Sequence, residues 1–305
     1  MTEIDFTGRV AIVTGAGNGL GRSHALMLAE RGASVIVNDL GGAVDGSGSS
    51  TTAADETVDL IRSMGGKAIA NYDSVTDPQG AMRIVETAMN AYGRIDVLIN
   101  NAGVLRDRTL AKMDMEAFRF VVDVHLIGSA NCSRAVWGVM KDQGYGRIVM
   151  TTSGAGLYGN FGQSNYGAAK LGVVGLMNVL KLEGARGGIT VNTVAPVAAT
   201  RMTEAMMPTE ALPHLRSDYI SAAAAYLASD VCKDTGVILS AGAGYFACAR
   251  FEECEGVFFD TDKPATPEMI LDKFSEISDF STARPFASAT DYMNKVLARF
   301  SASLS

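Results

Sequence analysis

Residues 10–21 read VAIVTGAGNGLG, a short apolar and β-branched run that ends in a glycine-rich turn. The residues that follow carry apolar side chains at helical spacing, beginning with Ala25, Leu26, Leu28 and Ala29. Glycines in such a turn allow positive φ and leave no Cβ to keep a phosphate away from the amides of a helix N-terminus. The order strand, glycine turn, helix therefore predicts the first unit of a dinucleotide-binding α/β fold.

Further short apolar runs alternate with segments of helical period along the chain. The predicted strands are Val10 to Val13, Ser34 to Asn38, Ala68 to Ala70, Val97 to Ile99, Arg147 to Met150, Thr190 to Val194 and Val237 to Leu239. Strands that are apolar at consecutive positions are typical of sheets covered on both faces. We therefore expect an α/β fold: a Rossmann-type, doubly wound parallel sheet of about seven strands with helices on both faces, in a domain at 1–249.

Two segments fall outside this alternation. Gly41 to Thr52 is rich in Gly and Ser, which predicts a mobile loop after the second strand. The tail from Arg250 carries several aromatic residues and then Thr266-Pro267-Glu268, a typical helix start. We expect a C-terminal extension at 250–305 that packs on the main domain or on a dimer partner.

The composition excludes several classes of protein. The chain has 305 residues, 48% of them hydrophobic, and a formal net charge of -7 without a basic run, so a nucleic-acid partner is not expected. No apolar stretch is long enough to span a membrane, and the first residues lack the features of a secretory signal, which predicts a cytoplasmic protein. The four cysteines and three histidines have no metal-ligand spacing, so no metal site is expected.

The residues of the glycine turn are the first candidates for cofactor binding. We expect the pyrophosphate of a dinucleotide to lie against Gly15, Asn18, Gly19, Leu20 and Gly21.

Asp39 is the residue that indicates which dinucleotide binds. It ends the second predicted strand, 18 residues after Gly21. A carboxylate there accepts hydrogen bonds from the ribose hydroxyls of NAD and repels the 2′-phosphate of NADP, and Val37 to Gly42 contains no Arg. The prediction is NAD, the alternative being a solvent-facing Asp at a strand end. Asp73 and Ser74, after the third strand, are expected beside the adenine.

Ser153, Tyr166 and Lys170 form the candidate catalytic group. Tyr166 and Lys170 are four residues apart, so on a helix they share a face and the ammonium favours the ionised phenol. Ser153 follows the fifth predicted strand, at the sheet edge where open α/β folds bind ligands. Tyr166 is thus a candidate acid or base, and Ser153 a group that holds the substrate oxygen. An ordinary surface Tyr–Lys pair is the alternative.

Four ordered motifs resemble the short-chain dehydrogenase/reductase family. They are Thr14-Gly15-x3-Gly19-x-Gly21, Asn100-Asn101-Ala102-Gly103, Ser153 thirteen residues before Tyr166, and Tyr166-x3-Lys170. The resemblance implies that Tyr166 is the catalytic acid/base, that Lys170 binds the nicotinamide ribose and lowers the pKa of Tyr166, and that Ser153 orients the substrate. It also implies that Asn100 lies near the cofactor.

Longer stretches resemble one branch of that family, the (3R)-hydroxyacyl-CoA dehydrogenase units of peroxisomal multifunctional β-oxidation enzymes. They are Asn38 to Gly42, Asn71 to Val75, Asn101 to Arg108, Tyr158 to Gln163, Ser240 to Tyr245 and Thr266 to Glu268. This resemblance implies NAD-dependent oxidation of a (3R)-3-hydroxyacyl-CoA to the 3-ketoacyl-CoA in fatty-acid or sterol side-chain β-oxidation. The hydratase part of those enzymes is absent here, so a separate enoyl-CoA hydratase is expected to supply the substrate.

Two positions depart from the common pattern of the family. His125 stands where many members have Asn, and it is expected either to relay a proton through water or to be a buried structural histidine. Pro196-Val197 replaces the usual Pro-Gly, and the loop after it, with Ala199, is expected to reach the nicotinamide amide through its backbone.

The segment after the sixth strand is expected to cover the substrate. It contains Met202, Met206, Met207, Pro208 and Leu212, whose side chains suit an adaptable apolar pocket but equally suit plain core packing. Arg106, Arg108 and Arg201 are candidates for contacts with CoA phosphates, the alternative being exposed arginines beside acidic neighbours such as Asp107 and Glu204.

Alternatives to the acyl-CoA prediction belong to two classes. An NAD-dependent 17β-hydroxysteroid dehydrogenase would use the same three residues, and a cofactor-sensing binding protein would have lost the chemistry. The family assembles through two long helices, here predicted at Ala111 to Asp142 and Tyr166 to Arg186, and we expect a homodimer. Small residues on the second helix, among them Gly172 and Gly175, would allow close approach.

Overall fold

The computed structural model describes residues 3–198 and 209–303. The chain divides into two compact units, Met1–Cys248 and Ala249–Ser305. None of the helices in the described ranges is long and apolar enough to cross a membrane.

The centre of the first unit is an eight-stranded sheet in the order β3-β2-β1-β4-β5-β6-β7-β8. The strands are β1 (Val10–Thr14), β2 (Ser34–Asn38), β3 (Lys67–Asn71), β4 (Val97–Asn100), β5 (Gly146–Thr151), β6 (Ile189–Pro196), β7 (Ile238–Gly242) and β8 (Tyr245–Ala249). Strands β1 to β7 pair in parallel. The chain order reverses between β1 and β4, which opens a crevice at their carboxyl ends.

Helices of the first unit connect these strands. They are α1 (Gly19–Glu30), α2 (Thr52–Ser63), α3 (Pro78–Tyr92), α4 (Met115–Val122), α5 (Gly128–Gln143), α6 (Gly154–Tyr158), α7 (Ser164–Gly184) and α8 (Ser217–Ala228). Every residue of β1, β4 and β5 is buried, as expected for strands covered on both faces. The predicted fold class is confirmed.

The eighth strand was not among those predicted. It follows β7 through the two residues Ala243 and Gly244, both with positive φ (49° and 77°). A two-residue turn of this kind reverses the chain, so β8 runs antiparallel to β7.

The two long helices predicted from the sequence differ in continuity. Ser164–Gly184 is one helix, as predicted to within two residues at each end, although Arg186 falls in a 3₁₀ turn at Ala185–Gly187. The segment predicted as one helix from Ala111 to Asp142 is instead interrupted. A 3₁₀ turn at Leu110–Lys112 precedes α4, and a π-helical turn at Asp123–Ile127 separates α4 from α5.

The described part of the second unit contains two α-helices, α9 (Pro267–Ile277) and α10 (Ala289–Ser303). Helix α9 begins where the sequence predicts, with Pro267 in the first position and the Thr266 hydroxyl accepting a hydrogen bond from Met269 N at 3.4 Å. The largely buried Lys295 donates from Nζ to the Cys254 carbonyl at 2.7 Å, which ties α10 to the start of the unit.

Candidate functional site

A cleft of about 670 Å³ lies at the crevice between β1 and β4. Its wall brings together predicted residues from distant parts of the chain: Gly15, Asn18, Gly19, Leu20, Asp39, Asp73, Ser74, Ser153, Tyr166 and Lys170. A volume of this size is ordinary for a cofactor or drug-sized ligand.

The glycine turn between β1 and α1 is packed so tightly that side chains would not fit. Gly15 has φ +64°, and a Cβ on it would lie 2.8 Å from Ala102 Cα. A Cβ on Gly21 would lie 2.1 Å from the Gly15 carbonyl oxygen. Gly21 therefore allows α1 to approach the turn and does not itself line the cleft. The turn presents the start of α1 to the cleft and fits a pyrophosphate there.

Asp39 occupies the end of β2, next to the glycine turn. Its Oδ2 accepts a hydrogen bond from Gly17 N at 2.7 Å, and its Oδ1 accepts one from Gly41 N at 2.7 Å. Each carboxylate oxygen has a second lone pair, and the group is only partly buried. The side chain is thus fixed in place and still able to accept hydrogen bonds from a ribose.

Arg22, which the sequence analysis did not single out, is the cation beside this turn. Its Nε donates to the Gly17 carbonyl at 2.8 Å, and its Nη2 pairs with Glu56 at 3.1 Å. The nearest sequence signal is only its place in the first turn of α1.

Asn100 is buried at the end of β4, where its Nδ2 donates to Ser133 Oγ at 3.1 Å. It is not among the residues that line the cleft, and its place near the cofactor stays a prediction. Its neighbour Asn101 lines the cleft instead, and Asn101 Nδ2 donates to the carbonyls of Thr14 and Gly15 at 3.0 and 3.1 Å. Asn101 therefore joins the ends of β1 and β4 at the crevice.

The three candidate catalytic residues converge at the other end of the cleft. Ser153 caps α6, its Oγ accepting from Ala155 N at 3.1 Å, and the same side chain hydrogen-bonds to Tyr166. Lys170 is buried, donates from Nζ to the Thr151 carbonyl at 2.7 Å, and lies 5.6 Å from the Tyr166 ring centroid. Helix α7 carries both Tyr166 and Lys170 on one face, as their spacing predicts.

Burial is the main influence on the protonation of Tyr166 and Lys170. Burial raises the pKa of Tyr166, the Ser153 hydrogen bond opposes that rise, and the charge of Asp107 adds to it. Burial also lowers the pKa of Lys170 to about 7. In the protein alone the phenol is therefore a weaker acid than free tyrosine, contrary to the expected effect of Lys170.

His125 packs against Tyr166 inside the π-helical turn. The two rings meet edge to face with centroids 5.1 Å apart. Its Nε2 lies 2.8 Å from the Val104 carbonyl and 3.1 Å from Val104 N, while Nδ1 has no hydrogen-bond partner within the described residues. Burial, and secondarily the Lys170 charge, holds the pKa of His125 well below its usual value, so the ring is neutral at neutral pH.

Two loops beside the cleft are joined near Tyr166. Gln163 Nε2 donates to Asp107 Oδ2 at 2.7 Å, and Arg108 N donates to the Gly162 carbonyl at 2.9 Å. Asn165 Nδ2 also donates to the Arg106 carbonyl at 2.9 Å. These contacts fix the start of α7, and so Tyr166, to the loop that follows β4.

Several predicted contacts lie outside the described residues: Ala199, predicted to reach the nicotinamide, and the predicted substrate contacts Arg201, Met202, Met206, Met207 and Pro208. Leu212 is described and lies in a 3₁₀ turn at Thr209–His214. Arg108 is exposed, whereas Arg106 is engaged, its guanidinium lying 4.1 Å from the Phe120 ring centroid and donating to the Asp45 carbonyl at 2.8 Å.

Comparison with known proteins places this site in a family. The short chain dehydrogenase family profile matches residues 9–211. The chain belongs to the short-chain dehydrogenase family.

Relatives within and near the family agree with the fold. The chain is 48% identical over 283 residues to the mouse (Mus musculus) peroxisomal multifunctional enzyme type 2, covering 92% of this chain but 38% of that protein. The structure of the full-length Drosophila melanogaster enzyme of the same name matches with a TM-score of 0.82 and 38% identity, over 97% of this chain and 50% of that chain. The chain thus spans half or less of the length of these relatives.

A third relative was solved with a cofactor and an oxidised steroid. It is a 7α-hydroxysteroid dehydrogenase complexed with NADH and 7-oxo glycochenodeoxycholic acid, with a TM-score of 0.72 and 28% identity over 80% of this chain and 98% of that one. As a member of the short-chain dehydrogenase family, the chain of 305 residues is an oxidoreductase of secondary alcohols that uses a nicotinamide cofactor. Family membership argues against the alternative of a cofactor sensor without chemistry.

Proposed function

We propose that this protein oxidises a (3R)-3-hydroxyacyl-CoA to the 3-ketoacyl-CoA with NAD as acceptor. The observation that carries the proposal is one cleft with Ser153, Tyr166 and Lys170 at one end and Asp39 at the other. The substrate class rests on the resemblance of segments such as Asn101 to Arg108 and Tyr158 to Gln163 to (3R)-hydroxyacyl-CoA dehydrogenase units.

The proposed chemistry follows from the groups in the cleft. Ser153 holds the substrate hydroxyl, and ionised Tyr166 accepts its proton as the C–H bond at the same carbon breaks. A nicotinamide cofactor held by the glycine turn and Asp39 would supply the acceptor for the hydride from this carbon. Lys170 is fixed by Thr151 and stabilises the ionised phenol when it carries a proton. The reverse reaction uses neutral Tyr166 as the acid.

The preference for NAD over NADP is supported by charge. The Asp39 carboxylate would face a 2′-phosphate, and Arg22, the cation beside the turn, is already paired with Glu56. A 2′-phosphate would therefore meet a negative group, and the Arg beside it in the described part of the chain is already paired.

A substrate panel assayed in both directions with NAD and NADP tests this proposal. The expected result is turnover of (3R)- but not (3S)-3-hydroxyacyl-CoA, with NAD preferred. A Tyr166→Phe variant should bind cofactor normally and lose about a thousandfold in kcat. A Tyr166→Phe variant as active as the wild type on every substrate would favour the alternative of a cofactor-sensing protein.

A steroid alcohol is the second candidate substrate. The similarity to a 7α-hydroxysteroid dehydrogenase favours it, as does a cleft wall that includes Val104, Leu105, Phe120 and Val124. A 17β-hydroxysteroid belongs in the same panel. A steroid rate far above the rate with 3-hydroxyacyl-CoA would reject the acyl-CoA proposal.

The assembly and setting of the enzyme are part of the proposal. We propose a homodimer formed through α5 and α7, with the extension at 250–305 packing on the main domain or on the partner. An enoyl-CoA hydratase activity would supply the substrate in the cytoplasm. Light scattering tests the dimer, and a tetramer at low concentration would contradict it.

A further inference from the structure

The Gly/Ser-rich segment after Asp39 has a defined path in the structure. It is closed at its base, where Ser50 N donates to the Leu40 carbonyl at 3.0 Å. Inside it, Ala43 N donates to the Ser47 carbonyl at 2.8 Å. Gly41 allows the two ends of the segment to approach each other, because a Cβ on it would lie 1.8 Å from the Ser50 carbonyl oxygen. A compact loop with closed ends is an Ω-loop, and we name residues 41–50 the Ω-segment.

The Ω-segment forms part of the cleft wall. Gly42, Ala43, Val44 and Gly46 all line the cleft. Gly46 packs directly on the opposite wall, since a Cβ on it would lie 2.5 Å from Phe120 Cε1 and 3.0 Å from Val104 Cγ1. The segment therefore extends from the proposed ribose site at Asp39 to the apolar cluster that includes Phe120 and Tyr166.

Two contacts from the loop after β4 hold the Ω-segment there. Leu105 N donates to the Val44 carbonyl at 3.0 Å. Arg106 Nε donates to the Asp45 carbonyl at 2.8 Å, and the same guanidinium stacks on Phe120. A planar guanidinium can make both contacts at once, with a cation–π attraction that a neutral side chain lacks.

We propose that Arg106 is a positioning residue that straps the Ω-segment across the cofactor cleft and thereby slows cofactor release. The inference rests on the proposed function only in that the ligand retained is a nicotinamide dinucleotide. Arg106 acts through the Ω-segment, because its Nε donates to the Asp45 carbonyl while the guanidinium plane lies on the Phe120 ring. Exchange of the cofactor requires these contacts to break.

Two glycines of the Ω-segment provide a matched pair of variants. Gly46 and Gly48 both have positive φ, +82° and +73°, so Ala at either position is strained to a similar degree. Only Gly46 touches the opposite wall, whereas a Cβ on Gly48 meets nothing within 4 Å among the described residues. Gly46→Ala should push the segment from Phe120, and Gly48→Ala should leave it in place.

A second pair of variants tests the strap itself. Arg106→Gln removes the guanidinium, and Arg119→Gln removes the same charge from an exposed position on the neighbouring helix α4. Together the four variants distinguish the effect of the contacts that hold the Ω-segment from the effects of loop strain and of a change in net charge.

The readouts are the rate of NADH release, measured by stopped flow, and the dissociation constant of NADH, measured by calorimetry. Gly46→Ala and Arg106→Gln should speed release about tenfold, while Gly48→Ala and Arg119→Gln stay within about twofold of wild type. Hydrogen exchange of the Leu105 amide without cofactor should also rise only in the first two variants. Identical release and exchange in all four variants would overturn the strap. If the wild-type protein binds neither NADH nor NADPH, the proposed cofactor is wrong. Hydrogen exchange of the Leu105 amide then still tests whether Arg106 holds the Ω-segment in place.

Discussion

Gln163 donates a hydrogen bond from Nε2 to Asp107 Oδ2 at 2.7 Å, joining two loops whose residues are 56 positions apart. The other carboxylate oxygen of Asp107 is buried and has no hydrogen-bond partner in the described part of the chain. The charge of Asp107 raises the pKa of the Tyr166 phenol, after burial and against the Ser153 hydrogen bond. The pair thus both positions α7 and opposes ionisation of the candidate base.

Asp107→Asn should shift the pH profile of the reaction. The amide oxygen of Asn can still accept from Gln163, so the loops stay joined while the charge is lost. Removing a negative neighbour lowers the pKa of Tyr166, so oxidation, which needs the phenolate, should begin at lower pH. The measurement is kcat/KM for oxidation against pH.

Gln163→Leu is the matched control for that profile. It breaks the loop contact but keeps the Asp107 charge, so it should lower kcat without moving the profile to lower pH. If both variants shift the profile equally, the effect of Asp107 is one of positioning and not of charge.

Asp39→Ser should weaken the discrimination between NAD and NADP. The variant loses the carboxylate that accepts from Gly17 and Gly41 and that would accept from the ribose. A hydrogen bond to a charged group contributes about 1.5–3 kcal/mol, so kcat/KM with NAD should fall about 10- to 100-fold, with a smaller loss for NADP. Asp59→Ser, which removes a charge from an exposed position on α2, is the control and should leave the ratio unchanged.

The sequence predicted most of the sheet because local chemistry determines it. Runs such as Val10 to Val13 and Val97 to Ile99 are apolar at consecutive positions, and they are buried on both faces in the structure. Strand β8 was missed because its residues are mostly exposed and show little of that signal. The π-helical turn at Asp123–Ile127 was missed because no Pro or Gly marks it, and His125 is held there by Val104, a distant residue.

The site was predicted less completely, because contacts between loops leave no local pattern. Spacing placed Tyr166 and Lys170 on one helix face, and position after a strand placed Asp39 and Ser153 at the cleft. The Ω-segment was expected to be mobile from its composition, but its hydrogen bonds use backbone groups that composition does not report. The direction of the Tyr166 pKa likewise depends on burial by surrounding elements.

Lys170→Met should abolish activity and yet stabilise the fold at low pH. Burial lowers the pKa of Lys170 from 10.5 to about 7, so below pH 7 the native state holds a buried charge that costs stability. Between pH 7 and 10.5 the unfolded state binds more protons, and wild-type stability rises with pH. Lys170→Met also loses the hydrogen bond to the Thr151 carbonyl. Its free energy of unfolding at pH 6 should still exceed that of the wild type by about 2 kcal/mol.

Urea unfolding at pH 6 and pH 10 checks this prediction. The advantage of Lys170→Met should shrink at pH 10, because the wild-type penalty has then been relieved. Lys112→Met, at an exposed position, should change stability little at either pH. A Lys170→Met protein less stable than wild type at pH 6 would show that the Thr151 contact outweighs the buried charge.

His24→Gln should make the protein more tolerant of acid. His24 is buried beneath α8, with Nδ1 2.8 Å from Ser221 Oγ, and burial lowers its pKa from 6.5 to about 4. As the pH falls from 6.5 to 4 the unfolded state binds a proton that the native state does not, so stability is lost, by up to about 3 kcal/mol. Gln does not titrate and can still hydrogen-bond to Ser221, so its unfolding free energy should fall less between pH 7.5 and pH 4.5. His214→Gln, at an exposed site, should follow the wild-type curve. A His24→Gln protein that loses stability as steeply as wild type would assign acid unfolding to the buried His125 or to the carboxylates instead.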